Sequence, residues 1–160
     1  MRATPLMLLA LVALQGTIAA QGPPEGAKLA AAYAQAFNAQ DVAKVASLYV
    51  EDGVWMPPDR PMAKGRPAIE AGLKELMAQP LGRLDIAILD SDVQGSRATF
   101  VGTFSLTLGN PGGLTMMGVG GGAVAHGKYI VVYRRVGAEW LIAFNIANYD
   151  SPQPPRPPAR

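Results

Sequence analysis

The chain has 160 residues, with 14 basic and 12 acidic side chains, a formal net charge of +2 and no cysteine. This length fits one domain with one core, and the lack of cysteine excludes disulfide bonds and thiolate metal sites. Because the charges nearly balance, there is no electrostatic reason to expect nucleic acid or an anionic membrane surface as a partner.

The first twenty residues have the pattern of an export signal. Arg2 supplies a positive charge, residues 6–18 are almost wholly apolar, and Ala19-Ala20 offers small residues before a cleavage site. The apolar run is short for a membrane span of about 20 residues, which disfavours an uncleaved anchor. We therefore expect a signal peptide at 1–20 and a periplasmic or secreted mature protein, with no membrane attachment after cleavage.

The segment that follows predicts three short helices. The first covers about residues 25–38, where apolar side chains recur at helical spacing. Asp41 is placed to cap the second, and Pro67 stands at the start of the third, which ends near Pro80. The predicted buried face of the second helix comprises Val42, Val45, Ala46, Leu48 and Tyr49.

Between the second and third helices the sequence predicts a turn and a short strand. Glu51-Asp52-Gly53 has the composition of a turn, and Val54-Trp55-Met56 that of a buried strand. Pro57-Pro58 ends this strand, because proline cannot donate a ladder hydrogen bond.

The second half changes to the alternating pattern of β-strands. Strand-like segments occupy about residues 84–88, 98–108, 123–136 and 140–149. Helices followed by long antiparallel strands predict an α+β fold in a domain covering 21–150.

Two further segments have no strand or helix pattern. Residues 109–122 are rich in glycine and could be a lid over a cavity or a surface insertion. The proline-rich tail, 151–160, is predicted to be extended and disordered.

The sequence offers few groups for chemistry. His126 is the only histidine, and it would need a carboxylate partner such as Asp52, Asp59 or Asp92 to carry general acid–base catalysis. No pattern places one of them beside it, so a structural or surface histidine is favoured. One histidine without clustered carboxylates is not a metal ligand set, and neither a metal nor a cofactor is expected.

The predicted central strands lack acidic residues altogether. No aspartate or glutamate occurs between Asp92 and Glu139, so these strands contribute no carboxylate to any cavity that they enclose. Such an interior suits a small apolar or amphipathic molecule as partner. The alternative is that the same side chains simply fill the core.

Two segments carry a family resemblance. Residues 33–59, with GRPAI at 65–69, and residues 127–150 resemble the SnoaL-like proteins of the nuclear-transport-factor-2-like superfamily. The resemblance implies a cone-shaped roll of three N-terminal helices packed on a strongly curved antiparallel sheet. It also implies a homodimer formed through the sheet's outer face. Members include isomerases, dehydratases, hydrolases, cyclases and association domains, so the fold does not give the function.

The steroid isomerases of that superfamily permit a comparison residue by residue. Their oxyanion-donating tyrosine falls on Tyr33. Their general base, an aspartate, falls on Pro57, which cannot accept a proton, and Asp59 could replace it only if it turned inward. Their second donor, a protonated aspartate, would lie in the region that has no acid here. Isomerisation by that mechanism is therefore disfavoured.

The expected ligand-binding residues are Tyr33, Trp55, Met56, His126 and Asn145, and no catalytic residue is assigned. By similarity, the Ala143–Asn145–Ala147 face of the last strand is favoured as the cavity wall, although periodicity alone does not decide the face.

The leading hypothesis is an exported, homodimeric SnoaL-like domain that binds a small apolar or amphipathic molecule. One alternative is a lyase, isomerase or hydrolase that uses Tyr33 with His126 or Asp59 on a hydrophobic substrate. The other is a non-catalytic association domain.

Overall fold

The computed structural model describes residues 24–108 and 123–151. Within these ranges the elements are α1 (Pro24–Asn38), α2 (Val42–Ser47), β1 (Tyr49–Met56), β2 (Ala63–Lys64), α3 (Arg66–Met77), β3 (Leu81–Gln94), β4 (Arg97–Leu108), β5 (Val124–Val136) and β6 (Glu139–Tyr149). The predicted signal peptide 1–20, the segment 109–122 and nearly all of the tail 151–160 lie outside the described residues.

The strands form one sheet in the order β2-β1-β6-β5-β4-β3. All neighbouring pairs are antiparallel except β1 and β6, which run parallel. The α+β architecture, with three N-terminal helices on a largely antiparallel sheet, is confirmed. The strands β1 and β6 can run parallel because a long stretch of chain connects them, whereas a hairpin turn would make them antiparallel.

The predicted starts of the second and third helices agree with the structure. Asp41 caps α2, and its Oδ1 accepts a hydrogen bond of 2.9 Å from the backbone N–H of Lys44. Pro67 stands in the first turn of α3, where its missing N–H is no loss. Gly65 precedes this helix with a positive φ of 83°, a conformation that glycine adopts without strain.

The predicted turn at Glu51-Asp52-Gly53 is wrong, since these residues lie inside β1. The second helix ends at Ser47, so Tyr49 belongs to the strand and not to the helix face predicted for it. The cause is tertiary. The Leu48 carbonyl accepts a hydrogen bond of 2.7 Å from the N–H of Ile142 in β6, and this pairing draws the chain out of the helix.

The helices pack mainly towards the two ends of the sheet. Helix α1 packs against β3 and approaches the Phe100 ring of β4 through Gly26, whereas α2 and α3 pack against each other and against β1. We call the helix-facing surface of the sheet the concave side, and the opposite surface the convex face. The largest fully buried side chains of the domain are Tyr49, Ile69, Leu73, Ile142 and Val45.

Asn38 joins the end of α1 to β3. Its Oδ1 accepts a hydrogen bond of 2.8 Å from the Leu84 N–H, and its Nδ2 donates one of 2.9 Å to the Leu84 carbonyl. One side chain thereby satisfies both backbone groups of a residue in an edge strand.

Replacing Asn38 with alanine should destabilise the fold, because both backbone groups of Leu84 lose their partner. We expect a loss of about 1–3 kcal/mol in the free energy of unfolding, measured by urea denaturation. The matched control is Gln35→Ala, an exposed position one turn earlier in α1, where a change within about 0.5 kcal/mol is expected. Equal losses in the two variants would contradict this role for Asn38.

Candidate functional site

A chain of three hydrogen-bonded side chains crosses the concave side. Asn145 Nδ2 donates to Tyr49 Oη over 3.1 Å, and the Tyr49 hydroxyl interacts in turn with that of Tyr33. Tyr49 is fully buried and Tyr33 is partly exposed. We call Asn145, Tyr49 and Tyr33 the tyrosine relay; it runs from the core towards the space between helix and sheet.

Three different elements position the relay. Tyr33 lies on the apolar face of α1, one turn before Phe37, and the two rings stack with centroids 6.4 Å apart. Tyr49 opens β1, and Asn145 lies on β6 opposite Trp55 of β1 and Val131 of β5. The relay therefore exists only when α1, β1 and β6 are all in place.

An irregularity in β6 brings Asn145 into this position. Tyr133 pairs with Ile142, but the preceding residue of β5, Val132, pairs with Phe144, so Ala143 is an additional residue in β6. Side-chain alternation restarts after it, and both Ile142 and Asn145 face the core. Ala147 shares the face of Asn145, opposite Tyr129.

Burial keeps the tyrosines of this face protonated. It raises the pKa of Tyr33 to about 12, an effect that the hydrogen bond from Tyr49 partly offsets. Burial, and next the nearby Tyr33, raise the pKa of Tyr49 well above its usual value. Burial likewise raises the pKa of Tyr133 and brings that of Tyr129 to about 12. At neutral pH all four phenols are uncharged hydrogen-bond donors.

The structure separates the predicted site residues into two groups. Tyr33 and Asn145 meet through Tyr49, and Trp55 is buried in the same core. Met56 follows Trp55 in β1 and pairs with Ile146, so it lies on the opposite, convex face. His126 is also exposed there, because it alternates with the inward-facing Ala125 and Gly127.

The carboxylates considered as partners of His126 or Tyr33 are all exposed. Asp59 lies in the turn after β1 with a φ of 55°. Asp52 pairs with Arg134, whose hydrogen bond lowers the pKa of that carboxyl, and Asp92 accepts a hydrogen bond of 2.7 Å from Gln94. This arrangement counts strongly against an enzyme that uses Tyr33 with His126 or Asp59.

The residues that the structure describes contain no group of three or more His, Cys, Asp or Glu side chains that could hold a metal ion. Among the same residues, no helix has the length and apolarity needed to cross a membrane.

Sequence reasoning missed the role of Tyr49, because it assigned that residue to a helix face. For the other inward-facing tyrosines the sequence does hold a usable signal. Tyr129 and Tyr133 are four residues apart in a strand and therefore share a face.

A cavity lies at the edge of the molecule. It has a volume of about 340 Å³ between the C-terminal ends of α1 and α3 and the start of β3. Asn38 and Arg83 in its wall are already engaged, with the Leu84 backbone and with Asp85 respectively. We therefore favour the concave side as the functional site.

Comparison with known protein families decides the classification. The SnoaL-like domain matches residues 30–140 of the chain. The chain belongs to this family. The resemblance to the SnoaL-like proteins predicted from residues 33–59, 65–69 and 127–150 is thereby confirmed. No curated protein sequence matches this SnoaL-like chain.

Solved structures share the fold at low sequence identity. A putative calcium/calmodulin-dependent protein kinase II association domain from Xanthomonas campestris is 22% identical, with a TM-score of 0.69 over 84% of this chain and 92% of its own. A ketosteroid isomerase-like protein from Erwinia carotovora is also 22% identical, with a TM-score of 0.64 over 79% and 94%. An NTF2-like protein of cystatin-like fold from Novosphingobium aromaticivorans is 21% identical, with a TM-score of 0.64 over 81% and 82%. These likenesses show the fold alone.

The raised pKa of Tyr33 predicts a pH effect on stability. The unfolded chain loses this proton near pH 10 and the folded chain near pH 12, so the contribution is complete below pH 10 and falls as the pH rises towards 12. Tyr33→Phe should reduce the slope of unfolding free energy against pH in this window by about 1.4 kcal/mol per pH unit. Urea denaturation at several pH values measures this slope. Parallel curves for the variant and the wild type would contradict the assignment.

Proposed function

We propose that this SnoaL-like domain binds a small, uncharged, apolar or amphipathic molecule on its concave side, and that Tyr33 donates a hydrogen bond to an oxygen of that molecule. The observation that carries the proposal is the tyrosine relay, which ends at Tyr33, a partly exposed residue on an otherwise apolar face.

The proton count of the relay supports a ligand at Tyr33. A phenol has one proton, and the Tyr49 oxygen already accepts a hydrogen bond from Asn145 Nδ2. We therefore assign the Tyr49 proton to the neighbouring Tyr33 oxygen, which leaves the proton of Tyr33 for another acceptor. Donation from Asn145 to Tyr49, and from Tyr49 to Tyr33, polarises the last hydroxyl and strengthens its own donation.

The exposure of inward-facing residues supports an opening at one end of the cone. Phe100 and Val131 face inward and are almost completely buried. Further along the same strands, Phe104 and Tyr129 also face inward but are partly exposed, as is Ile88 of β3. A ligand could therefore enter on this side and reach Tyr33 without unfolding a helix.

Binding is favoured over catalysis. An acid–base enzyme needs a second titratable group beside the tyrosine, and the three aspartates considered for that role are on the surface. The residue that aligns with the general base of the steroid isomerases is Pro57, which cannot accept a proton. The Erwinia carotovora protein is described as ketosteroid isomerase-like, but that description is not a reason to assign isomerisation to this chain.

Titration with Nile red, a neutral dye with a carbonyl oxygen, tests the binding proposal. We expect saturable fluorescence enhancement, and an increase in Kd of about 3- to 10-fold in Tyr33→Phe, because one hydrogen bond is lost. Thr103→Val, which removes a hydroxyl from the convex face, is the control and should leave the Kd unchanged. The absence of saturable binding would refute the proposal, and an unchanged Kd in Tyr33→Phe would refute the role of Tyr33.

We further propose that the convex face of the sheet binds a second copy of the chain. Val101, Ile130 and Ile146 form one row across β4, β5 and β6, and Phe144 lies beside them. These four residues are 37–46% exposed, and we call them the convex patch. Contiguous apolar surface on neighbouring strands is typical of an interface, and a two-fold dimer would bury the same patch on both subunits. Association is also the described role of the Xanthomonas campestris relative.

A charge in the middle of the convex patch should break such a dimer. We expect wild-type protein to elute as a dimer in size-exclusion chromatography with light scattering, and Ile130→Lys to elute as a monomer with native circular dichroism. Met62→Lys alters a still more exposed apolar residue outside the sheet and should remain dimeric. A monomeric wild type, or a dimeric Ile130→Lys, would contradict the proposal.

Export of the chain stays a prediction of its first twenty residues.

A further inference from the structure

The structure assigns a ligand class to the concave side: a flat, aromatic ring system that stacks on a wall formed by Phe104 and Tyr129. Two glycines leave room for these side chains to lie on the sheet. This inference rests on the proposed binding function and narrows it. We call Phe104, Tyr129, Gly102 and Gly127 the aromatic wall.

Tyr129 lies across the neighbouring strand β4. It pairs with Gly102, and a Cβ added to that glycine would stand 2.6 Å from Cε1 and 2.7 Å from Cζ of the tyrosine ring. The ring continues to β3, where its hydroxyl oxygen is 3.5 Å from the Ala87 carbonyl oxygen. The ring therefore lies close against the backbone, in space that any other residue at 102 would occupy.

Phe104 makes the reciprocal arrangement in the other direction. It pairs with Gly127 of β5, and a Cβ at that position would collide with the Cζ and Cε1 atoms of the ring and with the Asn148 carbonyl oxygen. The ring reaches towards β6, where its centroid is 5.9 Å from that of Tyr149. Together, Tyr129 and Phe104 cover the sheet from β3 to β6.

The wall has one face on the sheet and the other towards the concave side. Helix α1 packs on β3 and approaches the Phe100 ring of β4 through Gly26, whereas α2 and α3 pack on β1. Both rings contact the core on one side and remain partly exposed. Aromatic surface that is held flat in this way offers offset stacking or edge-to-face contact to a second ring.

The wall and the relay belong to one site. Tyr129 pairs with Ala147, which is two residues along β6 from Asn145 and on the same face, so the wall adjoins the relay on the sheet. A flat ring on the wall would thus have a hydrogen-bond donor at its edge. This combination favours a fused-ring or aryl compound with one hydroxyl or carbonyl oxygen. A saturated ring cannot stack, and its thickness fits a flat wall less well.

Two probes of equal skeleton and different shape test the ligand class. They are 2-naphthol, which is planar, and trans-decahydro-2-naphthol, which has the same fused rings and one hydroxyl but is saturated. We expect 2-naphthol to have the lower Kd by about tenfold in isothermal titration calorimetry. Non-specific hydrophobic binding would give the opposite order or none, because the saturated compound is at least as apolar.

Ring-deleting variants locate the preference. Phe104→Leu and Tyr129→Leu keep an apolar side chain but remove the ring, and each should reduce the planar preference to about threefold or less. Phe144→Leu makes the same change on the convex face and should keep the preference. These variants are preferred to Gly102→Ala, which would collide with the Ala87 carbonyl oxygen and distort the strand.

The outcomes separate this inference from the proposed function. Saturable binding of Nile red without a preference for 2-naphthol would overturn the ligand class and leave the binding function standing. A planar preference that survives in both Phe104→Leu and Tyr129→Leu would overturn the aromatic wall. No binding of Nile red or of either naphthol would refute the binding function and the inference together.

Discussion

The hydroxyl of Tyr49 is the polar group on which the arrangement of this domain depends. The Tyr49 side chain is fully buried, and a hydroxyl without a hydrogen-bond partner there would cost about 1–3 kcal/mol of folding free energy. Asn145 of β6 and Tyr33 of α1 satisfy it. Because these partners come from opposite ends of the chain, the requirement binds the first helix, the first strand and the last strand to one another. It also leaves one hydroxyl proton at the edge of the core, and the proposed binding of a ligand oxygen rests on that proton.

The two faces of the sheet have separate chemical characters. The concave face combines aromatic rings, glycines and uncharged phenols, which suits a neutral small molecule. The convex face exposes four apolar side chains, which suits contact with another protein surface. They are Val101, Ile130, Phe144 and Ile146. The proposed binding and the proposed association therefore use different residues.

Much of the fold was predictable because its local signals are strong. The apolar stripe of α1, the capping Asp41 and Pro67 of α3 act within one helical turn, and the structure agrees with each. The strands from β3 to β6 follow from simple alternation. The end of α2 was not predictable, since Leu48 and Tyr49 continue a helical pattern. Their removal from the helix depends on a hydrogen bond to Ile142, nearly a hundred residues away in the chain.

The site shows the same division. The sequence by itself determined the family, the α+β class, an interior with no acidic residue on its central strands, and Tyr33 as a polar group facing that interior. These depend on residue identity and on short-range periodicity. Only the tertiary structure decided which residues join Tyr33. The additional residue Ala143 in β6 turns Asn145 towards Tyr49, and alternation places Met56 and His126 on the convex face. The physical reason is that strand register is set by pairing between distant segments, and a shift of one residue exchanges the two faces of a strand.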